Sequence, residues 1–175
     1  MANLPANLPA LLRAAGLTVV EIEGWQTRGR PASTGGFAPV GVLNHHTGAS
    51  AKRWSKVQRL AYARWMFLTG RSDLPAPLCG LSLDPDGVVY LGAAGRANHA
   101  GVAKASGSVA GGDGNALYVG IEWMLSGTEA IPPVMMQAGI TLNAVLTEKV
   151  LGSSVAAISC HYQTSVTGKW DIGDP

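Results

Sequence analysis

Short apolar runs of strand length, separated by helical segments and glycine- or proline-marked turns, constrain this chain more than any other feature. Residues 40–44, 78–83, 88–91, 118–124 and 155–159 have β-type composition and the length of buried strands. Two of them flank Asp84-Pro85-Asp86-Gly87, turn chemistry that predicts a hairpin and so at least one antiparallel pair. Ser50 is placed to cap a helix over residues 51–68, where Trp54, Val57, Leu60, Ala61, Trp65 and Leu68 recur at helical spacing before Gly70. Pro132 and Pro133 open a second predicted helix that runs to near Leu151, with Gly152 beyond it. A shorter helix covers residues 8–15 and stops at Gly16. Residues 28–37 read as a loop, and the Gly-, Ala- and Ser-rich residues 101–114 as a flexible surface loop. This order predicts an α/β fold over residues 1–175, one domain with a central mixed β-sheet flanked by α-helices. Polar residues at the strand ends would then be aimed into one open groove.

Composition narrows the classes of partner. Apolar residues make up 47% of the 175 and charged residues 14%, which fits a globular chain with one core. A net charge of +2 without a clustered basic face argues against a nucleic-acid partner, while suiting approach to an anionic surface. No run approaches the roughly 18 apolar residues of a membrane span, so membrane insertion is not expected. The N-terminus lacks a basic stretch followed by an apolar one, the pattern of a secretory signal. Cys79 and Cys160 are too few for a disulfide framework and are expected as free thiols, with Cys160 a core residue.

Three polar clusters stand out. Asn44-His45-His46-Thr47 follows an apolar strand, where neighbouring side chains face opposite sides, so one histidine at most enters a given site. Gly120-Ile121-Glu122-Trp123 places an acid within an apolar strand, where it needs a partner, a function or a solvated face. His161 is followed by Lys169-Trp170-Asp171. Each cluster alone also fits an ordinary hydrogen-bonded or solvated arrangement. Together, two histidines and an aspartate make the three-ligand set of a catalytic zinc, which leaves one position open. A carboxylate beside it would move protons and a lysine would stabilise an oxyanion. His45, His161, Asp171, Glu122 and Lys169 fill these roles, and no His-Glu-x-x-His helix competes with them. The helix face carrying Trp54 and Trp65 reads as core rather than as a sugar-binding platform.

These residues carry a resemblance. Val42-Leu43-Asn44-His45-His46-Thr47, Asp86-Gly87-Val88-Val89-Tyr90, Asn98-His99-Ala100-Gly101, Val119-Gly120-Ile121-Glu122, and His161 with Lys169-Trp170-Asp171 occur in the order found in the type-2 N-acetylmuramoyl-L-alanine amidase family. That family includes phage lysozymes, bacterial amidases and peptidoglycan recognition proteins. The resemblance implies one Zn2+ held by His45, His161 and Asp171, with His45 rather than His46 as the first ligand. It implies catalytic roles for Glu122 and Lys169 and a substrate-binding role for His99. Some relatives carry a catalytic tyrosine where this chain has Cys79. The implied activity is hydrolysis of the amide between N-acetylmuramic acid and L-alanine in peptidoglycan, by a monomer. Made in the host cytoplasm, a phage endolysin would reach the wall through a membrane lesion opened by another protein. Such enzymes often continue into a wall-binding domain, which would follow Gly173-Asp174-Pro175. The competing readings are a peptidoglycan-binding module without catalysis and a zinc endopeptidase of the same wall.

Overall fold

The computed structural model describes residues 3–172. Strands β1 (Thr18–Glu21), β2 (Gly41–His46), β3 (Leu81–Leu83), β4 (Val88–Leu91), β7 (Tyr118–Trp123) and β8 (Ile158–Cys160) form one six-stranded sheet in the order β1-β4-β3-β7-β2-β8. The predicted hairpin is the antiparallel pair β3 and β4, in register Leu81↔Leu91. The other four pairings of the sheet are parallel, which gives the expected mixed sheet. Helices α1 (Leu8–Ala14) and α4 (Pro133–Ala144) cover one face and α2 (Lys56–Leu68) the other.

Side-chain alternation along the strands explains the two layers. Val119, Ile121 and Trp123 of β7 join Val42 of β2 in the core built with Leu8, Leu12, Met135 and Leu142. The opposite layer packs Met66 and Phe67 of α2 on Cys79, Tyr90 and Met124. Gly139 lets α4 sit this close to the sheet, because a Cβ there would lie 2.1 Å from the Trp123 ring.

Several elements differ from expectation, among them the unforeseen edge strand β1 and the start of β3 at Leu81 rather than Leu78. Helix α2 begins at Lys56 and is capped by Ser55, not Ser50. The Ser55 hydroxyl accepts from the Gln58 backbone N–H at 3.3 Å, while the Gln58 side chain accepts from the Ser55 N–H at 2.8 Å. This reciprocal capping box outcompetes the extension that the spacing of Trp54 implied. Ser50 donates to Glu129 instead. Residues 101–114 are not a featureless loop. They contain the two-stranded ribbon β5 (Val102–Ala103) with β6 (Gly112–Asp113), followed by the short helix α3 (Gly114–Leu117). Ser154 caps a 3-10 turn over Val155–Ala157, so the final strand β8 starts only at Ile158 and Val155 is 77% exposed. Strand β2 extends through both histidines rather than ending before them.

The second long helix runs on from α4 as a π-helical segment, Val145–Val150, and so reaches the expected end. Both cysteines are free. Cys79 is buried, whereas Cys160 is only half-buried, since β8 lies at the sheet edge. Among the described residues, no helix is long and apolar enough to cross a membrane. Gly173-Asp174-Pro175, where a wall-binding domain would follow, lie outside the described residues.

Candidate metal centre

Parallel pairing brings the first two candidate ligands together. Strand β2 lies between β7 and β8, in register His45↔Glu122 on one side and Asn44↔Cys160 on the other. One residue past that second pair, His161 opens helix α5 (His161–Thr164) beside His45, with ring centroids 4.5 Å apart. Asp171 returns to them through a turn whose shape is set by Ser165. The Ser165 hydroxyl oxygen accepts from the backbone N–H groups of Thr167 and Lys169, and the Tyr162 N–H donates to the Asp171 carbonyl at 2.8 Å.

The donor atoms close a triangle. His45 Nδ1 is 3.0 Å from His161 Nδ1, and each of these nitrogens is 3.0 Å from Asp171 Oδ2. His45 is 2% exposed and His161 7%. Burial pushes Asp171 upward, but the adjoining His161 and His45 rings, which favour the ionised carboxylate, outweigh it and hold the carboxyl well below the usual carboxylate range. Burial also lowers His45, which favours the neutral ring that a metal needs. Three lone pairs converging at this spacing fit a divalent cation with nitrogen and oxygen preference.

Glu122 stands beside this triangle on the same face of the sheet. Burial, reinforced by the charge of Asp171, pushes its carboxyl up to about 8. Its Oε2 is buried without a hydrogen-bond partner. Lys169 is exposed and lines the same groove, which encloses about 480 Å³. His46 stays outside the triangle and packs on Trp170 at the groove rim, with centroids 4.7 Å apart. Both histidines line the groove, but only His45 joins the triangle.

His99 lines the groove and also touches the triangle from behind. Its Nδ1 is 3.0 Å from His45 Nε2, and its Nε2 is 3.3 Å from the Tyr118 carbonyl oxygen. Burial pushes His99 well below its ordinary value, and the neighbouring His45 adds to this.

Some site features escaped the sequence reading. Tyr62 and Trp65 stack at 5.4 Å and line the groove, with Trp54 edge-on to Tyr62. All three rings are half-buried, so this aromatic face of α2 is part core and part groove wall. Helical periodicity located Trp54 and Trp65 but not Tyr62, and could not say which edge stays open. Arg71 and Asn98 complete that wall. Cys79 is fully buried close to Glu122 and supplies no hydroxyl where some relatives have tyrosine. Cys160 lines a separate apolar cleft on the α4 side with Asn44, opposite to His161.

Below the site, Asn44 and Asn143 exchange side-chain hydrogen bonds at 3.0 and 3.1 Å. The Trp123 indole donates to Asn44 Oδ1 at 2.9 Å. This buried network ties the end of β2 to α4 and holds the adjacent His45 in place. A single asparagine in a helix gave no signal of it.

Strand order and flanking helices together define the fold shared by N-acetylmuramoyl-L-alanine amidases and peptidoglycan recognition proteins. The chain is similar to the endolysin N-acetylmuramoyl-L-alanine amidase LysCS from Clostridium intestinale, with 19% identity and a TM-score of 0.58 over 90% of this chain and 88% of that one. It is similar to a point variant of Drosophila PGRP-LB in complex with tracheal cytotoxin, with 21% identity and a TM-score of 0.62 over 91% and 90% of the two chains. It is also similar to peptidoglycan recognition protein LE in complex with tracheal cytotoxin, a monomeric diaminopimelic acid-type peptidoglycan, with 16% identity and a TM-score of 0.60 over 89% and 88%. No protein-family model matches the sequence, and no curated protein matches it.

Proposed function

We propose that this chain is a zinc-dependent N-acetylmuramoyl-L-alanine amidase, the catalytic domain of a phage endolysin. The observation that carries this reading is the His45, His161 and Asp171 triangle with Glu122 beside it, at the floor of an open groove. His45, His161 and Asp171 would hold the zinc through His45 Nδ1, His161 Nδ1 and Asp171 Oδ2, and the bound ion would supply the Lewis acidity that activates water at neutral pH.

This chain's own groups do the rest. Glu122, kept in an apolar setting, has the proton affinity to take a proton from the attacking water and return it to the leaving L-alanine nitrogen. Lys169 projects into the groove as a cation and stabilises the charge developing on the amide oxygen. The wall made by Tyr62, Trp65 and Trp170 offers aromatic faces to sugar or stem peptide. His99 lines the same groove, which supports a contact with substrate there. Peptidoglycan as the partner is supported by the wall fragment bound to the recognition protein LE and by the amidase description of LysCS.

Digestion of purified peptidoglycan, with Glu122→Ala as control, tests the reading by mass spectrometry of the soluble products. Free stem peptides beginning with L-alanine, released only by the native protein, are the expected result. Cuts within the peptides would make it an endopeptidase on the same centre. Binding to the wall without any product would make it a recognition module.

A further inference from the structure

Metal ligation by histidine requires one ring nitrogen to be bare, and something must fix which one. Here the choice is made two residues away. The Tyr118 carbonyl can only accept, so the 3.3 Å contact requires the proton of the neutral His99 ring to sit on Nε2. His99 Nδ1 is then a bare acceptor, and the 3.0 Å contact requires His45 to carry its proton on Nε2. In the neutral His45 ring, Nδ1 is left bare, facing His161 Nδ1 and Asp171 Oδ2.

We infer that His99 is a positioning residue that locks His45 in the Nε2-protonated tautomer and so presents Nδ1 to the metal. The inference rests on the proposed zinc centre and adds a role in metal affinity that a substrate contact would not have. His99 is built into this place from several sides. The Asn115 side-chain oxygen accepts from the backbone N–H groups of His99 and Ala100, both at 2.8 Å. Gly120 forms the floor beneath the ring, since a Cβ there would lie 2.7 Å from His99 Cγ. The His99 ring meets His45 edge-on, with centroids 5.1 Å apart at 83°.

Two isosteric variants separate positioning from bulk. In His99→Asn the side-chain oxygen stands near the place of Nδ1 and still accepts from His45. In His99→Gln the amide reaches toward the Tyr118 carbonyl but leaves no acceptor near that place. Zinc affinity is measured by chelator competition on the full chain. His99→Gln is expected to bind zinc about 10- to 100-fold more weakly than the native protein, with His99→Asn recovering most of the loss. Long-range proton–nitrogen NMR of the native zinc-loaded protein should show His45 protonated at Nε2 and metallated at Nδ1. Native affinity in His99→Gln, or a His45 metallated through Nε2, would overturn the inference. If the variants fail to fold, the NMR measurement on the native protein decides alone. A native protein that binds no zinc at all would instead overturn the metal centre itself.

Discussion

His45 and Glu122 are register partners on the adjacent parallel strands β2 and β7, so their side chains leave the sheet side by side on the same face. The proposed ligand and the proposed proton carrier are thereby fixed relative to each other by backbone hydrogen bonds. Asp171, in contrast, arrives from a turn beyond α5 and depends on the Ser165 hydroxyl oxygen and on the Tyr162 N–H for its place.

On the proposed reading three ligands share one cation, so metal content and activity should fall together. Asp171→Ala is expected to lose stoichiometric zinc, measured by elemental analysis, and with it peptidoglycan cleavage. Zinc should also raise the melting temperature of the native chain, since binding at 1,000 times Kd contributes about 4 kcal/mol, and should fail to do so in the variant. Full zinc and activity in Asp171→Ala would remove it from the ligand set.

Glu122→Gln should retain zinc but turn over about 10²- to 10⁴-fold more slowly. The acidic limb of the native pH–rate profile should disappear in this variant, because the group that must be deprotonated has gone. A cation held by the triangle would lie next to Glu122, so this limb should fall below the value near 8 that burial and Asp171 set in the metal-free chain. Rates measured from pH 4 to 9 on both proteins check this. An unchanged limb in Glu122→Gln would assign it to another group.

Stability of the metal-free protein should carry the mark of the same carboxyl. Its value in the fold, about 8, lies above the ordinary 4.5, so the folded state binds the extra proton between those limits. The contribution of protonated Glu122 is fully present below pH 4.5 and is lost as pH rises through 8. Urea unfolding of the metal-free chain at pH 5 and pH 8 should show the native protein losing more stability than Glu122→Gln. Equal losses would contradict the burial of an ionisable Glu122.

Asn143→Ala should destabilise the fold by about 1–3 kcal/mol, since it leaves the Asn44 amide buried with part of its bonding unmade. Gly139→Ala should cost a similar amount, about 1–3 kcal/mol, by driving a methyl group into Trp123. Chemical denaturation measures both. Asn143→Ala should in addition weaken zinc binding, through the freed end of β2, whereas a change confined to stability would make the network structural only.

The sequence by itself determined five of the six strands of the main sheet, though not the edge strand β1, together with the three longer helices, the hairpin at Asp84-Pro85-Asp86-Gly87 and the polar residues worth attention. These follow from periodicity, turn chemistry and an acid within an apolar run, which are local signals. Alternation along a strand also indicated that His45 and His46 would not both join one ligand set, and His45 alone lies in the triangle. Only tertiary structure decided that β2 lies between β7 and β8, which is what places Glu122 and His161 on either side of His45. Local propensity cannot report such pairings, since they join residues dozens of positions apart. The same limit hid the Asn44–Asn143 network, the groove edge of Tyr62 and Trp65, and the contact between His99 and His45. Each depends on which surfaces meet once the core has formed, a property of packing rather than of any one segment.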